Sequence, residues 1–180
     1  MQQPFFKDIS KFNKVSDYLP IVAAVLCVET FTIFYAFIVN KKYRSSVLES
    51  WYKTYRLSAV LADVTIVIIG IIITRFLYGY IFPTSGFSII KFVGLAVCVQ
   101  IVHDILFYLF FSAVPVGMNR RLDTFKIYSK EVGLYAVLGD SIIMISSCLL
   151  ASNLANYNTN LNIISLIVSL YFIPYVIYHK

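Results

Sequence analysis

Five long apolar runs, separated by short polar joints, decide what this chain can fold into. They cover about residues 18–39, 57–82, 88–114, 133–155 and 162–178. About 20 apolar residues in a helix rising 1.5 Å each cross the ~30 Å hydrocarbon core of a bilayer. Inside lipid the backbone must satisfy its own hydrogen bonds, which leaves only helices and closed barrels. The runs are continuous rather than alternating, so a barrel is excluded. The expected fold is all-α: a polytopic bundle of about five transmembrane helices occupying 18–180, preceded by a polar segment at 1–17. Composition agrees, because 13% charged residues, against about 25% in a soluble domain, cannot clothe a water-facing surface. The first run is too long for a signal-peptide core, so no cleaved leader is expected.

The polar joints carry the orientation. Lys41, Lys42, Arg44, Lys53 and Arg56 lie between the first two runs, and Arg120, Arg121, Lys126 and Lys130 between the third and fourth. Five crossings put both joints on one side with Lys180, against Lys7, Lys11 and Lys14 on the other. By the positive-inside tendency, joints 40–56 and 116–132 are expected in the cytoplasm. In the first joint Val47, Trp51 and Tyr55 recur every four residues, beside Leu48 and Tyr52, which predicts a short amphipathic helix lying in the interface. The second, with Leu122, Phe125 and Val132, follows a looser version of the pattern. These basic residues, with Trp51, are the expected contacts to anionic headgroups. That assignment accounts for the net charge of +6 without a nucleic-acid partner.

Two runs repeat. Ala59-Val60-Leu61-Ala62-Asp63 and Ala136-Val137-Leu138-Gly139-Asp140 match at four of five positions, each just inside the membrane after a basic joint. At the same offset Gly70 aligns with Ser147 and Thr74 with Ala151, giving each helix a stripe of small residues that allows close approach. Both copies start from the same side, so the repeat is parallel. The bundle is expected to comprise one helix plus two similar hairpins.

Four of the nine acidic residues, Glu29, Asp63, Asp104 and Asp140, fall inside the runs, where a carboxylate costs about 2.5–3.5 kcal/mol. Gln100, His103 and Asp104 share a face at i, i+3, i+4. Counted from the basic side, Asp63, Asp104 and Asp140 lie at similar depths and are expected to meet. Two readings stay open. The acids are interhelical hydrogen-bonding glue, or, with His103, they form a proton or cation path or a divalent-ion site. Cys27, Cys98 and Cys148 lie singly within runs and read as packing thiols. No HExxH, GxSxG or potassium-filter motif is present, so neither an enzyme nor a cofactor is expected. Arg75 is expected to snorkel outward to a headgroup.

The strings LSAVLAD at 57–63, IITRFLY at 72–78, HDILFYLFF at 103–111, KEVG at 130–133 and GDS at 139–141, with the last run around 170–175, resemble a multi-span membrane protein family of nucleocytoplasmic large DNA viruses. The resemblance covers roughly residues 50–178. It implies a structural protein of the virion, anchoring or organising the inner membrane beneath the capsid, with capsid or other viral membrane proteins as partners. The alternative, from the residues themselves, is a small proton- or cation-coupled transporter using the buried acids. Oligomerisation is left open.

Overall fold

The computed structural model describes residues 5–39, 46–83 and 86–178; Lys41, Lys42, Arg44 and Lys180 lie outside them. Its helices are α1 (Tyr18–Phe34), prolonged by a wide π-turn at Tyr35–Val39, α2 (Ser46–Tyr55), α3 (Leu57–Ile81), α4 (Ile89–Ala113), α5 (Arg120–Val132), α6 (Leu134–Leu154) and α7 (Thr159–Ile177). No strand occurs among the described residues. Five of the helices, α1, α3, α4, α6 and α7, are long and apolar enough to cross a membrane. The chain is a multi-pass membrane protein.

The helix ends follow local chemistry. Pro83 and Pro115 stand just beyond α3 and α4, where a ring without an N–H cannot continue the ladder. Asn119 and Asn158 cap α5 and α7, accepting from Arg121 N at 2.9 Å and Leu161 N at 2.9 Å, and so satisfy donors that a helix start leaves orphaned. The start of α2 is capped across space: Glu131 of α5 accepts from Ser46 N and Ser46 Oγ, both at 3.0 Å. With Tyr55 Oη 3.1 Å from Thr124 Oγ1 and the Trp51 and Phe125 rings 4.9 Å apart, α2 and α5 form one platform across the basic end of the bundle.

The repeat extends to the backbone. Arg56 joins α2 to α3 with φ 49° and ψ −127°, and Gly133 joins α5 to α6 with φ 56° and ψ −131°. The two joints are 77 residues apart, the offset that also relates Asp63 to Asp140. At the aligned positions Gly70, Thr74, Ser147 and Ala151 are all buried. The lone α1 breaks the symmetry by packing along α3, α6 and α7, with Ala23 and Ala24 fully buried. Positive φ of this kind suits glycine and strains any other residue by about 1–3 kcal/mol. A Cβ on Gly133 would meet nothing closer than 3.9 Å, so Gly133→Ala is expected to lose stability through backbone strain alone, by about 1–3 kcal/mol. Arg56→Gly is expected to gain the same strain relief, less the contact of the guanidinium over Tyr178 at 4.8 Å, which is worth about 0.5–1 kcal/mol. Thermal unfolding of the two variants in detergent, moving in opposite directions, is the check.

The amino-terminal segment is part of the bundle rather than a free polar tail. Lys7 N donates to Ser152 O at 3.1 Å, Ser152 Oγ donates to Lys7 O at 2.6 Å, and Lys7 Nζ donates to Ala155 O at 2.8 Å. Asn153 and Asn156 both donate to Phe5 O, at 3.2 and 3.0 Å, and Ile9 is fully buried. The strap crosses the end of the bundle opposite the basic platform. Beneath it lies Arg75, 1% exposed. Instead of snorkelling, its Nη2 donates to the carbonyl oxygens of Lys11 and Lys14, and its guanidinium sits 4.5 Å from the Tyr18 ring centroid and 3.6 Å from Asp17 Oδ2.

Candidate functional site

Above the α2–α5 platform a cavity of about 500 Å³ opens between α1, α3, α4 and α6. Glu29, Asp63, Gln100, His103, Asp104 and Asp140 all line it. The one-turn spacing of Gln100, His103 and Asp104 on α4, and the position of Asp63 and Asp140 six residues into α3 and α6, about 9 Å deep, bring side chains from three helices to one space, and Glu29 of α1 joins them. The three acids expected to meet therefore share a cavity. Among the described residues, however, no three His, Cys, Asp or Glu side chains stand close enough together to hold a metal ion.

Two hydrogen-bonded groups flank the space. On one side Tyr52 Oη lies 2.8 Å from Glu29 Oε1 and 2.8 Å from Asp63 Oδ2, while Trp51 Nε1 donates to the same Asp63 oxygen at 3.1 Å. A phenol has one proton to give, so one of the two carboxyl contacts needs a proton of its own. Asp63 Oδ2 already accepts from Trp51, which makes Glu29, 2% exposed, the carboxyl that carries it. On the other side Gln100 Nε2 donates to Asp104 Oδ2, Ser141 Oγ donates to Gln100 Oε1 at 2.9 Å, and His103 Nδ1 is 3.2 Å from Asp104 Oδ1. This second group links α4 to α6. Asp140 belongs to neither group: it is exposed, lines the cavity, and makes no hydrogen bond or ion pair among the described residues. Asp104 and Asp63 are its charged neighbours.

The floor is aromatic. Trp51, Phe107 and Phe125 form a chain with centroids 4.9 and 5.0 Å apart, and Tyr52 and Tyr128 complete it. Burial pushes the Tyr52 phenol well above its ordinary 10.0; burial, and then Asp140, pushes Tyr128 up to about 12. Both raised values mean that folding favours the neutral phenol. The stability this contributes is present below pH 10.0 and is lost as pH rises through about 12, with the sign set by linkage. Tyr128→Phe is expected to remove a step near pH 12 from an ultraviolet tyrosinate titration in detergent.

The interfacial residues divide. Lys53, Arg56, Arg120, Arg121 and Lys130 are exposed on the platform, where headgroups would lie. Lys126 Nζ instead donates to Val114 O, satisfying a carbonyl just past the end of α4. Trp51 turns inward, 6% exposed, and serves Asp63 rather than lipid. Sequence periodicity places Trp51 and Tyr52 on the apolar face of α2 and assigns that face to the lipid interface, whereas in the structure both side chains are buried against Asp63. The available signal was two aromatic side chains with polar tips on a short helix beside runs that hold unpaired acids.

No family model, no curated protein and no solved structure matches this chain.

Proposed function

We propose that this chain is a small membrane carrier that exchanges protons for an organic cation, with Asp140 and Asp63 as the anionic seat and the Trp51, Phe125 and Tyr128 floor as its aromatic lining. The observation that carries the reading is Asp140. Acids that serve as glue are hydrogen-bonded, whereas an unpartnered carboxylate in a membrane helix is a cost of about 2.5–3.5 kcal/mol that a cationic ligand offsets. Acid and aromatic faces together suit an ammonium group on an organic body. Glu29 already holds a proton, and Tyr52 connects it to Asp63 in one hydrogen-bonded row. Carboxyls that are neutralised either by protons or by a cation, but not by both, couple the two species by competition.

Trp51 is the only tryptophan and reports on the site directly. Titration of the detergent-solubilised protein with small alkylammonium ions is expected to shift its emission saturably. Proteoliposomes given an alkylammonium gradient are expected to move protons in the opposite direction. Proteoliposomes that pass neither ion, under either gradient, would end this reading.

A structural role is the second reading, favoured by the two hydrogen-bonded groups that tie α1, α2 and α3 together and α4 to α6. There the chain anchors the inner membrane of a virus particle, as the resemblance implies, and is present in purified particles. Its absence from particles made by cells that express it would exclude that role.

A further inference from the structure

A second recess, about 480 Å³, runs along the lipid-facing side of α3 and is lined by Ser58, Leu61, Ala62, Thr65, Ile66 and Ile69, with Arg121 at its mouth. Residues 58, 61, 62, 65, 66 and 69 fall on one helical stripe. The stripe starts at the basic end and covers 11 residue steps, about 16 Å at 1.5 Å per residue. That is about half of the ~30 Å hydrocarbon core, the depth of one leaflet. The mouth is polar and preorganised: Arg121 Nη2 donates to Ser58 Oγ at 2.7 Å, and its guanidinium lies 5.1 Å from the Tyr55 ring centroid. Arg121 is exposed and makes no ion pair among the described residues. A guanidinium held this way keeps further N–H donors in a planar fork that fits phosphate oxygens.

We infer that this groove seats one acyl chain of an anionic phospholipid of the basic-side leaflet, with the lipid phosphate on Arg121. The occupant follows from shape and charge together. The groove is apolar for the depth of one leaflet, and its single cation sits where a headgroup phosphate comes. The site is independent of the acid-lined cavity in its chemistry but adjoins it, since Ala62, Ile66 and Ile69 line both. A seated chain therefore packs on the residues that wall the cavity.

The test is lipid retention. Protein purified from vesicles of mixed phosphatidylglycerol and phosphatidylcholine is analysed by native mass spectrometry. One phosphatidylglycerol per chain is expected to survive in preference to phosphatidylcholine. Arg121→Gln is expected to cut that preference about fivefold, the effect of one interfacial cation. Leu61→Trp/Thr65→Trp fills an exposed stripe without touching the bundle core, and is expected to remove the lipid while Arg121 remains. Lys53→Gln removes an exposed platform cation that does not line the groove, and is expected to leave retention unchanged. Equal retention of the two lipids, or equal losses from Arg121→Gln and Lys53→Gln, would overturn the site in favour of diffuse surface attraction. A change in oligomeric mass on filling the groove, with lipid retention unaltered, would overturn it in favour of a second copy of the chain. None of these readouts requires transport, so the site stands or falls separately from the carrier.

Discussion

Asp140→Asn is expected to weaken alkylammonium binding about tenfold or more, the loss that follows when the charge facing a bound cation across an open cavity is removed. The thermal stability of the empty protein should stay nearly unchanged. The reason is the absence of protein partners: Asp140 makes no hydrogen bond or ion pair among the described residues, so an amide of the same shape breaks nothing. Asp63→Asn should behave in the opposite proportion. Asp63 Oδ2 accepts from Trp51 and Tyr52, and hydrogen bonds to a charged group are worth about 1.5–3 kcal/mol each. That variant should lose stability as well as binding, and its Trp51 emission should shift before any ligand is added. The pair separates the two functional readings. Acids that only hold the bundle together predict a silent Asp140→Asn and a damaging Asp63→Asn; a carrier predicts that Asp140→Asn abolishes exchange in proteoliposomes while the fold survives. A variant at Asp140 that keeps full exchange would remove the carrier.

Much of this architecture was legible because lipid imposes a simple rule. A run of about 20 apolar residues has only one low-cost conformation in a bilayer, so expected spans at 57–82 and 88–114 differ by a residue or so from Leu57–Ile81 and Ile89–Ala113. The two hairpins were legible through Asp63 and Asp140, and the matching strained joints at Arg56 and Gly133 show the repeat in three dimensions. Periodicity also found the faces of α2 and α5. What it could not supply was the object each face meets. Trp51 on an amphipathic helix within a basic joint reads as a lipid anchor, and only the fold reveals that the apolar face of α2 turns towards Asp63. The amino-terminal segment was illegible for a related reason. Its contacts are made largely by backbone groups, such as Phe5 O and Lys7 N, and every sequence has those.

Arg75→Met is expected to cost about 3–5 kcal/mol, the range for removing one member of a buried charge pair and leaving the other behind. Arg75 is 1% and Asp17 2% exposed, so neither charge is solvated where it stands. The guanidinium does three things at once: it donates to the Lys11 and Lys14 carbonyls, faces the Tyr18 ring and offsets Asp17. Methionine keeps the volume and loses all three. Asp17 retains Lys14 Nζ at 2.7 Å, which places the loss nearer the lower end of the range. Asp17→Asn in the Arg75→Met background should recover part of it, because the uncompensated charge is then gone; the non-additivity of the two changes measures their coupling. The damage should also be local. Segment 5–17 closes the end of the bundle, so its release should free the backbone at Lys7, Lys11 and Lys14 for cleavage by trypsin and speed amide exchange there. The α2–α5 platform, about 18 Å away along α3 at 1.5 Å per residue between Asp63 and Arg75, should keep its protection. If cleavage at the strap does not increase while the whole bundle loosens, Arg75 holds the helices and not the strap.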